Sequence, residues 1–88
     1  MVSVKFIGVL RNLAAKESIQ FAVDKGTSLK NVLHRVSSEL PKLREMLKCP
    51  ESSLVILINE REIACLDGLN TKVNDKDKVV IVSVSHGG

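Results

Sequence analysis

Apolar and polar residues alternate over positions 2–8, with Val2, Val4 and Phe6 on one side and Ser3, Lys5 and Ile7 on the other. A period of two predicts a strand half-buried against a core. Positions 17–23 repeat the pattern, Ile19, Phe21 and Val23 opposing Ser18 and Gln20. Joined by a connector carrying Arg11, Asn12 and Leu13, the two runs predict an opening hairpin. The period then changes. After a Lys25-Gly26 turn, Leu29, Val32, Leu33, Val36 and Leu40 recur at i, i+3, i+4, i+7 and i+11, a continuous apolar stripe along a helix. Thr27 or Ser28 is placed to cap that helix, its hydroxyl accepting from a free N–H of the first turn. Pro41 closes it, because the residue before a proline resists helical geometry. Leu43, Met46 and Leu47 predict a short second helix ending near Cys49-Pro50.

The pattern then returns to strands. Positions 54–58, LVILI, read as a strand buried on both faces or nearly so. Asn59-Glu60-Arg61 is a turn, positions 62–64 a short returning strand, and Asp67-Gly68 a second turn. Asn74, Asp75, Lys76 and Asp77 make a polar turn before a last strand over 78–84. The order ββα(α)βββ predicts an α+β fold: a mixed sheet with one main helix packed across one face, the β-grasp arrangement. In the last strand Val79 and Ile81 share one parity, and Val80, Val82 and Val84 the other. The first strand sets Ser3 and Lys5 opposite its core residues, so the outer face of the sheet meets water. Val80, Val82 and Val84, joined by Val55 and Leu57, then form an exposed apolar row, as expected of a partner-binding site.

A length of 88 residues means one domain; positions 1–84 are expected to fold and 85–88 to form a flexible tail. With two Phe and no Trp or Tyr, the core must be aliphatic, and the stacking platforms that hold single-stranded nucleic acid are missing. The 13 basic residues are interleaved with 10 acidic ones. The densest basic group, Lys42, Arg44 and Lys48, encloses Glu45 and reads as a solvated face. His34, between stripe positions, reads as a partly exposed surface residue. Cys49 and Cys65 fit no metal or redox spacing, so no metal site is expected. No nucleophile–base pair or glycine-rich phosphate loop appears, which argues against a self-contained enzyme. No apolar run approaches the roughly 20 residues of a membrane span, and no charged segment leads into a long apolar one. A cytoplasmic protein without membrane or direct nucleic-acid contacts is expected.

Chemistry enters at the end of the sequence. Gly87-Gly88 follows directly on the last strand, so a bare tail is expected to project from the fold. Glycine lacks a Cβ, and its backbone can enter a channel too narrow for any side chain. A carboxylate is a poor electrophile at neutral pH, but as an acyl-adenylate it has a good leaving group. Sulfide or persulfide attack then gives a thiocarboxylate, whereas a thiolate or amine gives a thioester or amide. None of these steps needs a catalytic group in the chain that carries the carboxylate. His86 beside the glycines reads as a tail residue that fits a partner's groove.

The closing segment Gly68-Leu69-Asn70-Thr71, then Val73-Asn74-Asp75-Lys76-Asp77, Val79-Val80-Ile81 and Gly87-Gly88, resembles the MoaD and ThiS sulfur carriers. The opening, Val4-Lys5-Phe6 through Leu10-Arg11-Asn12-Leu13-Ala14, also resembles MoaD. The resemblance implies a ubiquitin-like β-grasp fold and a terminal Gly88 that an E1-like adenylating enzyme activates with ATP. No cofactor is implied within the chain itself. A sulfur donor then converts the adenylate to a thiocarboxylate. The resemblance implies, first, the small subunit of molybdopterin synthase, whose MoaE-like large subunit supplies the catalytic groups. It also implies a carrier for tRNA thiolation or a ubiquitin-like modifier of protein lysines; outside the resemblance, a β-grasp interaction domain without tail chemistry is the alternative. MoaD proteins usually have Asn-Gly where this chain has Asn59-Glu60, and Asp-Gly-Asp where it has Asp75-Lys76-Asp77. The ending His86-Gly87-Gly88 is closer to the ubiquitin-related modifier of tRNA thiolation.

Overall fold

The computed structural model describes residues 1–48 and 53–84. Their elements run β1 (Val2–Ile7), α1 (Val9–Ala14), β2 (Ser18–Phe21), α2 (Leu29–Glu39), α3 (Arg44–Lys48), β3 (Leu54–Ile58), β4 (Arg61–Glu62) and β5 (Lys78–Ser83). The strands form a mixed sheet in the order β2-β1-β5-β3-β4. At its centre the first and last strands run parallel, Val4 opposite Val79 and Phe6 opposite Ile81. All other pairings are antiparallel. This is the β-grasp fold that the alternation and the helical stripe predict.

One face of the sheet carries the core. Val2, Val4 and Phe6 of β1, Ile56 and Ile58 of β3, and Val79 and Ile81 of β5 are buried against Leu29, Val32, Leu33 and Val36 of α2. Each such side chain contributes about 1.5–3 kcal/mol by leaving water. The helix starts where Ser28 accepts a hydrogen bond from the Asn31 N–H at 3.2 Å. The loop before β5 anchors the same end: the Leu29 N–H donates to the Thr71 carbonyl at 2.8 Å and the Val73 N–H to the Thr27 carbonyl at 2.7 Å. Val73 is fully buried. The Thr71 hydroxyl donates to the Gly68 carbonyl at 2.7 Å and accepts from the Asp67 N–H at 3.1 Å.

Three sequence expectations change. The connector at Arg11, Asn12 and Leu13 is helical: α1 buries Leu10 and Ala14 in the core and lies between the two strands of the opening hairpin. Positions 62–64 do not form a strand of three; β4 ends at Glu62, and Ile63–Cys65 is a 3₁₀ turn. β3 is buried on one face only, with Leu54, Ile56 and Ile58 inside and Val55 and Leu57 half-buried. The second helix is present as a 3₁₀ turn at Pro41–Leu43 running into α3. Its expected end near Cys49-Pro50 lies outside the described residues.

Asn59 and Glu60 join β3 to β4 with φ of 49° and 71°, the left-handed pair that a two-residue hairpin requires. Lys76 is left-handed too, at φ 74°. Glu60 and Lys76 therefore stand where a glycine would be unstrained. Hydrogen bonds hold the turn in register nonetheless: Asn59 Nδ2 donates to Asp77 Oδ1 at 3.0 Å, and the Lys78 N–H donates to Asn59 Oδ1 at 3.0 Å. A left-handed non-glycine residue costs roughly 1–2 kcal/mol, against roughly 0.5–1 kcal/mol for the extra freedom glycine loses on folding. Glu60→Gly is therefore expected to raise stability by about 0.5–1 kcal/mol in urea unfolding. An unchanged or lower midpoint would show that the Glu60 side chain makes a compensating contact.

Candidate functional site

The sheet face away from the helices is open, and its composition changes along the strands. At one end Gln20, Ser3 and Lys78 lie in register across β2, β1 and β5. One pair of residues further along, Ser18, Lys5, Val80, Leu57 and Glu62 form a row across all five strands. The next row is Ile7, Val82 and Val55. The open face thus grades from polar to apolar towards the end at which β5 finishes. Val80, Val82, Val55 and Leu57 are each half-buried by their neighbours, and Val84 is 40% exposed. The structure brings together four of the five residues picked out by strand parity, and Val84 follows just beyond the end of β5.

It adds one that parity placed on this face but did not select. Ile7, 41% exposed, sits beside Val82 and extends the patch to β1. Ile7, Val9 and Val84 are three of the four large apolar residues exposed among those described; Met1 is the fourth. Lys5 and Glu62 flank the patch with opposite charges, and Lys5 lies 4.0 Å from Glu17. Burying a row this free of charge against a partner is favourable, because interface cores are depleted of charged groups.

The end of β5 is clamped. Ser83 Oγ accepts a hydrogen bond from the Val9 N–H at 2.7 Å and donates to the Ile7 carbonyl at 3.2 Å. On the other side the Val84 N–H donates to the Ser53 carbonyl at 3.0 Å. The chain is held on both flanks to the last described residue. Gly8 makes the first contact sterically feasible: its φ is +84°, and a Cβ there would stand 2.3 Å from Ser83 Oγ. Neither Gly8 nor Ser83 is distinguished in the sequence, since the clamp joins residues 75 positions apart in the chain (83 minus 8). His86, Gly87 and Gly88, which the sequence puts at the chemistry, lie outside the described residues. Among the described residues no group of three His, Cys, Asp or Glu side chains is placed to hold a metal ion, and no helix is long and apolar enough to cross a membrane. His34 and Cys65 are both exposed and lie away from the patch.

A family model described as the ThiS family matches residues 4–88. Among curated proteins no relative matches. The solution structure of small archaeal modifier protein 1 from Methanosarcina acetivorans is 29% identical, with 99% of this chain and 95% of that chain covered and a TM-score of 0.83. The fold is shared more widely. A putative molybdopterin converting factor, subunit 1, from Pyrococcus furiosus is 16% identical over 96% of this chain and 97% of its own, with a TM-score of 0.78. A chain of the Amycolatopsis orientalis BexX/CysO complex is 21% identical, with both chains covered in full and a TM-score of 0.81.

The clamp predicts a specific sensitivity. Gly8→Ala combines a strained backbone with an overlap against Ser83, and is expected to cost about 2–4 kcal/mol in denaturant unfolding. Adding Ser83→Gly removes the overlap and leaves the strain, so the double variant should recover part of the loss. A Gly8→Ala protein as stable as the parent would mean that the β1–α1 turn is not held against β5.

Proposed function

The chain belongs to the ThiS family of ubiquitin-like sulfur carriers, and from that premise we propose that the carboxylate of Gly88 is its working group. An E1-like enzyme adenylates that carboxylate, transferring AMP from ATP and releasing pyrophosphate. Sulfide from a sulfur donor displaces AMP and leaves a thiocarboxylate, which passes its sulfur to an acceptor. Once the sulfur is transferred, water restores the carboxylate. The acceptor is the molybdopterin precursor, held by a MoaE-like large subunit that contributes the catalytic groups. The carrier binds no permanent cofactor; ATP is consumed by the activating enzyme.

The observation that carries this reading is the apolar patch at the tail end of the open sheet face. Positions 85–88, fully extended, span at most about 14 Å. Any enzyme that holds Gly88 must therefore also meet the surface where β5 ends. Val80, Val82 and Val84, with Val55, Leu57 and Ile7, lie there and offer an uncharged contact. Gly87 and His86 then occupy the partner's channel.

A second reading shares the activation step and differs in the nucleophile. In a protein modifier a lysine amine attacks the activated Gly88 and forms an isopeptide bond. The 29% identity with small archaeal modifier protein 1 favours it.

Two expected outcomes test the proposal. Deleting Gly88 should abolish ATP–pyrophosphate exchange by the E1-like enzyme and leave the circular dichroism spectrum unchanged; undiminished exchange would exclude Gly88 as the reacting residue. Val82→Asp places a carboxylate in a desolvated contact and should weaken partner binding by about 1–3 kcal/mol. The fold should survive, since Val79 and Ile81 hold the core side of the strand. A folded variant of unchanged affinity would place the partner elsewhere.

A further inference from the structure

On the helical side of the fold, α2 and α3 enclose a groove of about 520 Å³. Its floor is apolar: Leu33 and Leu47, both buried, with the half-buried Leu69. Its rim is basic. Lys30 stands on α2, one turn before His34, and Arg44 and Lys48 stand one turn apart on α3, so both helices turn basic side chains towards one cleft. Among the described residues no acidic side chain lines it. The nearest counter-charge on α3 is Glu45, whose carboxylate lies 3.8 Å from Lys48 with both side chains largely exposed. An exposed pair of this kind is worth little and yields readily to a better partner. By sequence, Arg44 and Lys48 belong to a solvated face; the structure sets them opposite Lys30 over a leucine floor.

We propose that this groove binds an acidic segment of a protein partner. Carboxylates of the segment pair with Lys30, Arg44 and Lys48, and a large aliphatic side chain seats on Leu33, Leu47 and Leu69. The rim selects negative charge, and the apolar floor selects a peptide over a nucleic-acid strand. A single strand is held by aromatic stacking, and both phenylalanines here, Phe6 and Phe21, are buried in the core. The groove and the Val80–Val82 patch face opposite sides of the sheet. A protein bound through its acidic segment therefore leaves the patch free for a second partner.

The test is an NMR titration of the intact chain with a synthetic peptide of Asp, Glu and Leu at helical spacing. Saturable shifts are expected at the amides of Lys30, Leu33, His34, Arg44, Leu47 and Lys48, weakening as salt is raised. A Lys30→Glu, Arg44→Glu, Lys48→Glu variant, shown folded by circular dichroism, should bind at least about tenfold more weakly. It should in turn bind a Lys–Leu peptide of the same spacing, an exchange of preference that damage to the fold would not produce. Replacing the peptide's leucines by serine, or its acids by amides, should also reduce affinity. The proposal is overturned if no saturable shift occurs at millimolar peptide, if the charge-reversed variant binds the acidic peptide equally well, or if an oligouridylate binds these residues more tightly than the peptide does.

Discussion

The parallel pairing of β1 with β5 is the constraint on which the rest of the structure depends. Parallel neighbours cannot be joined by a tight turn, so the chain between them must cross a face of the sheet on its way from one strand to the other. Here α2 makes that crossing, leading from β2 beside β1 to β3 beside β5, and the core cluster gathers the helical side chains on one side only. The other side stays open. β5 has a neighbour on each flank, Val79 against Val4 and Ile58, and Val80 against Lys5 and Leu57. Its register is therefore fixed twice. A slip of one residue would exchange Val79 and Ile81 for Val80 and Val82 in the core. The pairing that builds the core thus also fixes which valines lie on the open face.

The residues that carry the family resemblance are mostly structural. Thr71 spends its hydroxyl on the turn beneath α2, and Val73 is buried where that loop meets Thr27. Asp77 accepts from the Asn74 N–H at 2.8 Å and from Asn59 Nδ2, lacing the β3–β4 turn to the start of β5. These contacts set the position and direction of the last strand. Departures from the family pattern at Glu60 and Lys76 also fall in turns, where they alter strain and leave the open face unchanged. Sequence signature and surface chemistry are therefore separable in this chain. The signature delivers β5 to its place, and other residues set the composition of the open face.

Much of this is legible in the order of residues along the chain. The stripe on α2 and the alternation in β1 and β5 identify the core residues Val4, Phe6, Leu29, Leu33, Val79 and Ile81, all of them buried. Parity on β5 and β3 likewise picks out Val80, Val82, Val55 and Leu57. What escapes is short or non-local. α1 has six residues, Arg11 and Asn12 among them, and buries only Leu10 and Ala14, too little for a helical period to register. Its limits are set by left-handed backbone at Gly8 and Ala15. The Gly8–Ser83 clamp and the basic groove are juxtapositions of distant residues. Their composition is visible in the sequence, but the cleft between two helices is a property of packing.

Chemistry at Gly88 and docking through the open face together make one claim: the fold presents an activated carboxylate beside an apolar landing surface. The most direct measurement is the intact mass of the protein purified from its own host, with and without the Val82→Asp substitution. The parent protein is predicted to carry a fraction about 16 Da heavier, oxygen replaced by sulfur at the terminus, and alkylation of that fraction separates it from oxidised Met or Cys. In the Val82→Asp protein the fraction should be strongly reduced although the fold persists. A parent protein with no alkylatable fraction, or a variant loaded to the same extent, would contradict the account.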